Sequence, residues 1–185
     1  MELILLCHAV TRAMKTGRFP TGDEPAEHDA RVQIRAGTAR VIASPARAAR
    51  ETAGWFARSF EIMPAFGDID YGRWRGLSIR ETGEREPENI ATWLSDPNAR
   101  PHGGESVAML AGRIEEGIAR LDRLNPRERC IVVTHAIVVK VIVALSRGEP
   151  LSAIYSMNFA PLSSTVLRRE SPADAWEVEL PQTSA

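Results

Sequence analysis

The chain has 185 residues, 44% hydrophobic and 25% charged, which is enough for one buried core and close to the size at which a single domain over residues 1–185 is the default. Lys and Arg together number 23 against 24 Asp and Glu, so no global field marks a nucleic acid or an anionic membrane as the partner. Any anion site has to be local.

The opening MELILLCHAV is too short an apolar run, and too poor in basic residues ahead of it, for a signal peptide or a membrane span. A cytoplasmic location is the expectation. Cys7 and Cys130 both lie in apolar runs and read as reduced core thiols. No CxxC, HExxH or GxxxxGK[ST] pattern occurs, so neither a zinc site nor a phosphate-binding loop of the P-loop kind is supported.

In chain order, residues 2–7 predict a strand buried on both faces, and AVTRA after His8 predicts a loop. RVIAS at 40–44 is a second strand. Ser44-Pro45 reads as a helix cap with proline just inside it, followed by a helix over 46–60. EIMP at 61–64 is a third short strand. Residues 66–104, rich in Gly, Pro and charge, predict an excursion of loops with a short helix around 87–94, long enough to suggest function. Residues 104–125 hold the clearest helix, with Val107, Leu110, Ala111, Ile114, Ile118 and Leu121 at the three-and-four spacing. RCIVVTH is another buried strand, AIVVKVIVALSRG a mostly apolar helix stopped at Gly148, and SSTVLRRE and AWEVEL a terminal hairpin. PQTSA is the expected frayed end. Alternating strands and helices predict an α/β fold: an open, mostly parallel sheet with helices on both faces.

His8 and His135 each stand where an apolar run ends, the place where open α/β sheets gather ligands. If the two strands are neighbours, two imidazoles converge, and the helix after His135 offers its first amides to an anion. A neutral, oriented histidine can attack a phosphoryl group and split one displacement into two, given positive donors and an acid for the leaving oxygen. GDIDYGRWRG supplies Asp68 and Asp70 as candidate acids, although aspartate beside glycine also forms turns.

Five stretches in order, LLCHAVT, IASPARAARETA, DIDYGRWRGLS, GGESVAML and VVTHAIVVK, together resemble the histidine phosphatase superfamily, its phosphoglycerate mutase-like branch, and more closely the small alpha-ribazole phosphatase-like members. The resemblance implies a three-layer phosphoglycerate mutase-like fold, with His8 as the phosphorylated nucleophile and His135 as the second histidine on the phosphoryl group. It makes Asp68 the acid, one methylene shorter than the family's usual glutamate, and lets Glu105 line the same pocket. A small phosphorylated molecule or inorganic phosphate is the implied partner, with no cofactor and no metal.

Two departures stand out. Cys7 and Ala48 occupy the positions of the two arginines that clamp the phosphoryl oxygens in the family. Losing one preorganised donor to transition-state charge costs about 10²–10³ in rate, so losing both leaves an enzyme on the order of 10⁴ slower unless something replaces them. Arg12, just past Thr11 in the loop after His8, and Arg47 and Arg50, which flank Ala48, are the candidate replacements, although one helical position turns a side chain by about 100°; Thr11, Arg12, Arg47 and Glu105 are the candidate substrate-binding residues. Arg18, Arg73 and Arg75 sit on segments expected to rim the pocket. Cys7 and Arg12 are one residue short of the Cys-x5-Arg spacing of cysteine phosphatases, which favours an inert thiol. A mutase is disfavoured because residues 66–104 offer little to hold a bisphosphate. The alternative to a phosphatase is an inactive or altered member that binds an anion or a protein partner.

Overall fold

Strands β1 (Glu2–Cys7), β2 (Arg40–Ala43), β3 (Glu61–Ile62), β4 (Arg129–Thr134), β5 (Ser164–Arg168) and β6 (Glu177–Glu179) join in one sheet of order β3-β2-β4-β1-β5-β6. The structure is a computed structural model and describes residues 1–27, 34–124 and 128–181. β1 pairs β4 in parallel with Cys7 opposite Thr134, and β4 pairs β2 in parallel. β5 returns antiparallel along β1 and carries β6 as the expected hairpin. His8 and His135 therefore leave the same edge of two adjacent strands.

Alternation along β1 sorts its side chains between two cores. Leu3, Leu5 and Cys7 pack with helices α5 (Val107–Leu124) and α6 (Ala136–Ser146) on one face. Ile4 and Leu6 pack with Ala49 and Ala53 of α2 (Arg47–Gly54) on the other. The result is three layers, helix on sheet on helix, with a mostly parallel sheet between. Leu3, Leu5 and Leu6 are at most 1% exposed, each contributing roughly 1.5–3 kcal/mol by burial.

Four local expectations need correction. The segment after His8 is not all loop: Thr11 caps a short helix, α1 (Arg12–Lys15), by accepting the Met14 amide. Helix α2 stops at Gly54 rather than 60, because the amides of Trp55 and Phe56 turn back to carbonyls only three residues earlier, tightening and ending the helix. Ser44 does not cap α2. Ala46 holds that position without a side-chain bond, and the Arg47 amide is taken by the Gly22 carbonyl. The excursion at 66–104 contains two helices, α3 (Ile79–Arg85) and α4 (Pro87–Ser95); α3 has no apolar stripe to announce it. Asn125 at the end of the long helix and residues 182–185 of the expected frayed end lie outside the described residues.

Candidate active site

At the carboxyl edge of β1 and β4 the rings of His8 and His135 meet edge to face, centroids 4.8 Å apart. His8 Nδ1 lies 2.7 Å from its neighbour's carbonyl, Ala9 O. A carbonyl only accepts, so Nδ1 carries the proton and the lone pair of the neutral ring sits on Nε2. Burial, then the second imidazole, pushes the His8 pKa down to about 4, so the ring is neutral at ordinary pH.

His135 is gripped from both sides. Its Nδ1 is 3.4 Å from Asp68 Oδ2 and its Nε2 is 2.7 Å from Ser44 Oγ. With Asp68 ionised, the consistent pattern is Nδ1–H toward the carboxylate and Ser44 O–H donating to Nε2. Ser44 Oγ also accepts the Ala46 amide at 3.2 Å, two residues ahead of the position that caps α2. Burial drives the His135 pKa down to about 3 and the Asp68 carboxyl up to about 6, as expected when the charged form is desolvated.

Asp68 is placed from below by Arg113 on α5. The Arg113 guanidinium donates to the carbonyls of Pro64, Ala65, Gly67 and Asp68 at 2.9–3.2 Å and makes a two-pronged pair with Glu105. One guanidinium thus fixes the whole turn carrying the acid. Two glycines close the neighbouring loop: a Cβ on Gly104 would stand 2.0 Å from the Asp70 carbonyl oxygen, and Gly72 takes φ +48 against the same turn.

A cavity of about 180 Å³ opens over these groups, lined by His8, Thr11, Asp68 and His135 together with Ala48, Arg18, Glu24 and the first residues of α6. Arg12, Arg47 and Glu105 do not line it. Arg47 is spent on Glu51 at 2.7 Å, Glu105 on Arg113, and Arg12 lines a neighbouring groove. Arg18 is the lining cation among the described residues, its Nη1 held at 2.9 Å by the Gly76 carbonyl. Opposite it stands Glu24, whose carboxylate accepts both the Thr21 amide and hydroxyl and the Gly22 amide, bonds that lower its pKa despite burial.

Sequence reasoning did not single out Ser44, Glu24 or Arg113. Ser44 opens a stretch that carried the resemblance, and Arg113 lies eight residues after Glu105 on one helix; Glu24 had no signal. Cys7 is buried, faces the core, and burial pushes its thiol up to about 11; it is an inert thiol. Among the described residues no group of three or more His, Cys, Asp or Glu is placed to hold a metal ion, and no helix is long and apolar enough to cross a membrane.

The family model for the histidine phosphatase superfamily (branch 1) matches residues 3–181. The bifunctional protein Rv2228c of Mycobacterium tuberculosis is 27% identical over 171 residues, spanning 85% of this chain and 47% of its own. The metal-independent phosphoserine phosphatase of Arabidopsis thaliana is 32% identical over 125 residues, 61% of this chain and 52% of its own. The chain spans about half the length of the curated relatives it matches. Among solved structures, the alpha-ribazole phosphatase of Shigella flexneri superposes with a TM-score of 0.82 at 20% identity, covering 99% of this chain and 96% of its own; at that identity the likeness is one of fold.

Proposed function

The chain belongs to the histidine phosphatase superfamily, branch 1, and from that premise we propose that residues 1–185 act as one domain that hydrolyses a phosphomonoester through a phosphohistidine on His8. The observation that carries this reading is the paired imidazoles, with His8 Nδ1 committed to the Ala9 carbonyl and its Nε2 lone pair left for chemistry. In the first step Nε2 forms the N–P bond as the ester P–O bond breaks, and protonated Asp68 gives its proton to the leaving oxygen. In the second, water attacks phosphorus, Asp68 takes the water's proton, and the N–P electron pair returns to Nε2. Arg18 and the first amides of α6, which has no side-chain cap, supply the positive lining. His135, held by Ser44 and Asp68, keeps the carboxyl group in place. No cofactor or metal enters these steps, and the ligand is a small phosphorylated molecule of the cytoplasm.

One observation favours a second reading, an altered member that binds an anion without turning it over: a lining with one guanidinium and two carboxyl groups is poor at neutralising a phosphoryl dianion. A single experiment separates the two. Wild type and His8→Ala are assayed side by side against a panel of phosphomonoesters including p-nitrophenyl phosphate, with phosphorus NMR of acid-sensitive phosphoprotein. Turnover and a phosphoimidazole signal, both lost in His8→Ala, are expected. Equal rates in the two proteins, or binding of phosphate without any turnover, would replace the first reading by the second.

A further inference from the structure

The buried Nε2 of His102 has no hydrogen-bond partner among the described residues. His102 is 1% exposed and sits among rings, with the centroids of Trp74 at 4.9 Å, Trp93 at 6.1 Å and Tyr71 at 6.4 Å. An aliphatic or aromatic side chain would fill that place without stranding a polar atom. What the imidazole adds is its other nitrogen, because Nδ1 accepts the Gly104 amide at 3.0 Å. Gly104 is itself buried, so its N–H needs a partner. Since the amide donates, Nδ1 carries the lone pair, and the proton of the neutral ring sits on the unpaired Nε2. Burial lowers the His102 pKa, which keeps the acceptor available.

That acceptor stands at the head of a strip leading to the acid. Residues 102–105 run against 70–73: the Arg73 amide donates to the His102 carbonyl at 3.0 Å and the Glu105 amide to the Asp70 carbonyl at 2.8 Å, while the Glu105 carboxylate accepts the Asp70 amide at 3.4 Å. Both backbone groups of Asp70, two residues past Asp68, therefore end on Glu105. The contact leaves no slack, since a Cβ on Gly72 would stand 2.3 Å from the His102 carbonyl oxygen and 2.6 Å from the Gly104 nitrogen. Arg113 fixes the near side of the Asp68 turn through the carbonyls of Pro64, Ala65, Gly67 and Asp68; the strip fixes the far side. Gly103 takes φ +78 and neither glycine has a side chain to set the course of the chain. The bond from the Gly104 amide back to His102 closes that turn and aims the chain into Glu105.

We propose that His102 is a positioning residue for the general acid: its Nδ1 closes the Gly103-Gly104 turn, and through Glu105 and Asp70 that turn holds Asp68 where its proton reaches the leaving oxygen. His102 does not line the cavity, so it acts only through the residues it holds. The role rests on the phosphatase reading for its kinetic form and on the contact between Asp68 and His135 for its structural form. An acid displaced by about 1 Å loses proton transfer first. The cost therefore depends on the leaving group. An ester whose leaving oxygen is strongly basic needs the proton, and one that departs as a stable anion does not.

Wild type is compared with His102→Asn, which places an amide oxygen at the Nδ1 position, with His102→Leu, which offers no acceptor, and with His102→Gln, which carries its amide to the position of Nε2. Values of kcat/KM are measured for phenyl phosphate, p-nitrophenyl phosphate and 2,4-dinitrophenyl phosphate, a series of falling leaving-group basicity. His102→Leu and His102→Gln should lose about tenfold or more with phenyl phosphate and stay within about twofold of wild type with the dinitrophenyl ester. His102→Asn should recover to within about threefold of wild type on all three. In parallel, nitrogen NMR follows the His135 Nδ1 signal, which reports on the Asp68 contact without turnover; it should shift in His102→Leu and His102→Gln and return in His102→Asn. A wild type that turns over none of the esters, with that pattern of shifts intact, would overturn the phosphatase reading and leave the positioning role standing. Equal losses across the three esters, as a general loosening of the fold would give, would overturn the role. So would failure of His102→Asn to recover, or a His135 signal that stays in place in both His102→Leu and His102→Gln.

Discussion

Ala48→Arg should raise phosphatase activity. Ala48 is 4% exposed and lines the cavity with His8, Asp68 and His135. A long side chain there enters a space of about 180 Å³, some six times the roughly 30 Å³ share of one water molecule in the liquid. The guanidinium would find Asp68 and Glu24 on the walls, so its charge is not stranded. One preorganised donor aimed at transition-state charge is worth about 10²–10³ in rate, or about 2.7–4 kcal/mol. That is the gain expected in kcat for p-nitrophenyl phosphate, measured by initial rates in wild type, Ala48→Arg and Ala48→Arg/His8→Ala. The last protein should show none of the gain, because the donor acts on chemistry begun at His8. A folded Ala48→Arg, with native circular dichroism and a native unfolding midpoint, whose rate stays within about twofold of wild type would refute the claim that charge neutralisation limits this site.

Three further outcomes are expected. The rate should follow a bell in pH: His8 must be neutral, with pKa about 4, and Asp68 protonated, with pKa about 6, so the limbs should fall near those values for the coupled pair, and Asp68→Asn should abolish the upper one. Stability should decline as pH drops below about 6.5, the unfolded histidine value, because both histidines have depressed folded pKa values; raised Asp68 acts the opposite way, losing stability as pH rises through about 6. Urea unfolding of His135→Asn should show a shallower acid slope than wild type. Gly104→Ala should cost more than about 4 kcal/mol in the same assay, since the added Cβ would meet a backbone carbonyl oxygen at 2.0 Å and a carbonyl in a laced turn cannot swing aside as a side chain can.

Periodicity made the scaffold readable. LILLC and CIVVT are continuous apolar runs because they are buried on both faces, and each ends at a histidine because the sheet ends there; their adjacency then follows from parallel pairing. What stayed hidden depends on contacts far apart in sequence. Ser44 looks like a cap because Ser-Pro before a helix usually is one, yet its hydroxyl is claimed by a ring 91 positions later. Arg18 reads as one surface arginine among several until the Gly17–Phe19 strip is laced to residues 76–79. Arg47, adjacent to Ala48, is taken by Glu51 four residues on, an ordinary i,i+4 pair that geometry favours over reaching back to the cavity.

The site is unevenly furnished. Groups that hold or move protons are in place and mutually supported: His8 on a carbonyl, His135 between Ser44 and Asp68, and Asp68 on a turn fixed by five hydrogen bonds that Arg113 makes to carbonyls and Glu105 through its terminal nitrogens. Positive charge at the cavity is sparse: the Cys7 thiol turns into the core, Ala48 offers a methyl, and Arg18 is the lining cation among the described residues. Under the phosphatase reading, sparse neutralising charge at the reacting atom raises the barrier for every phosphomonoester alike. Because Ala48 lines the cavity of the reacting atom itself, Ala48→Arg should raise turnover across the phosphomonoester panel by a similar factor, and a gain confined to one ester would refute charge neutralisation as its cause.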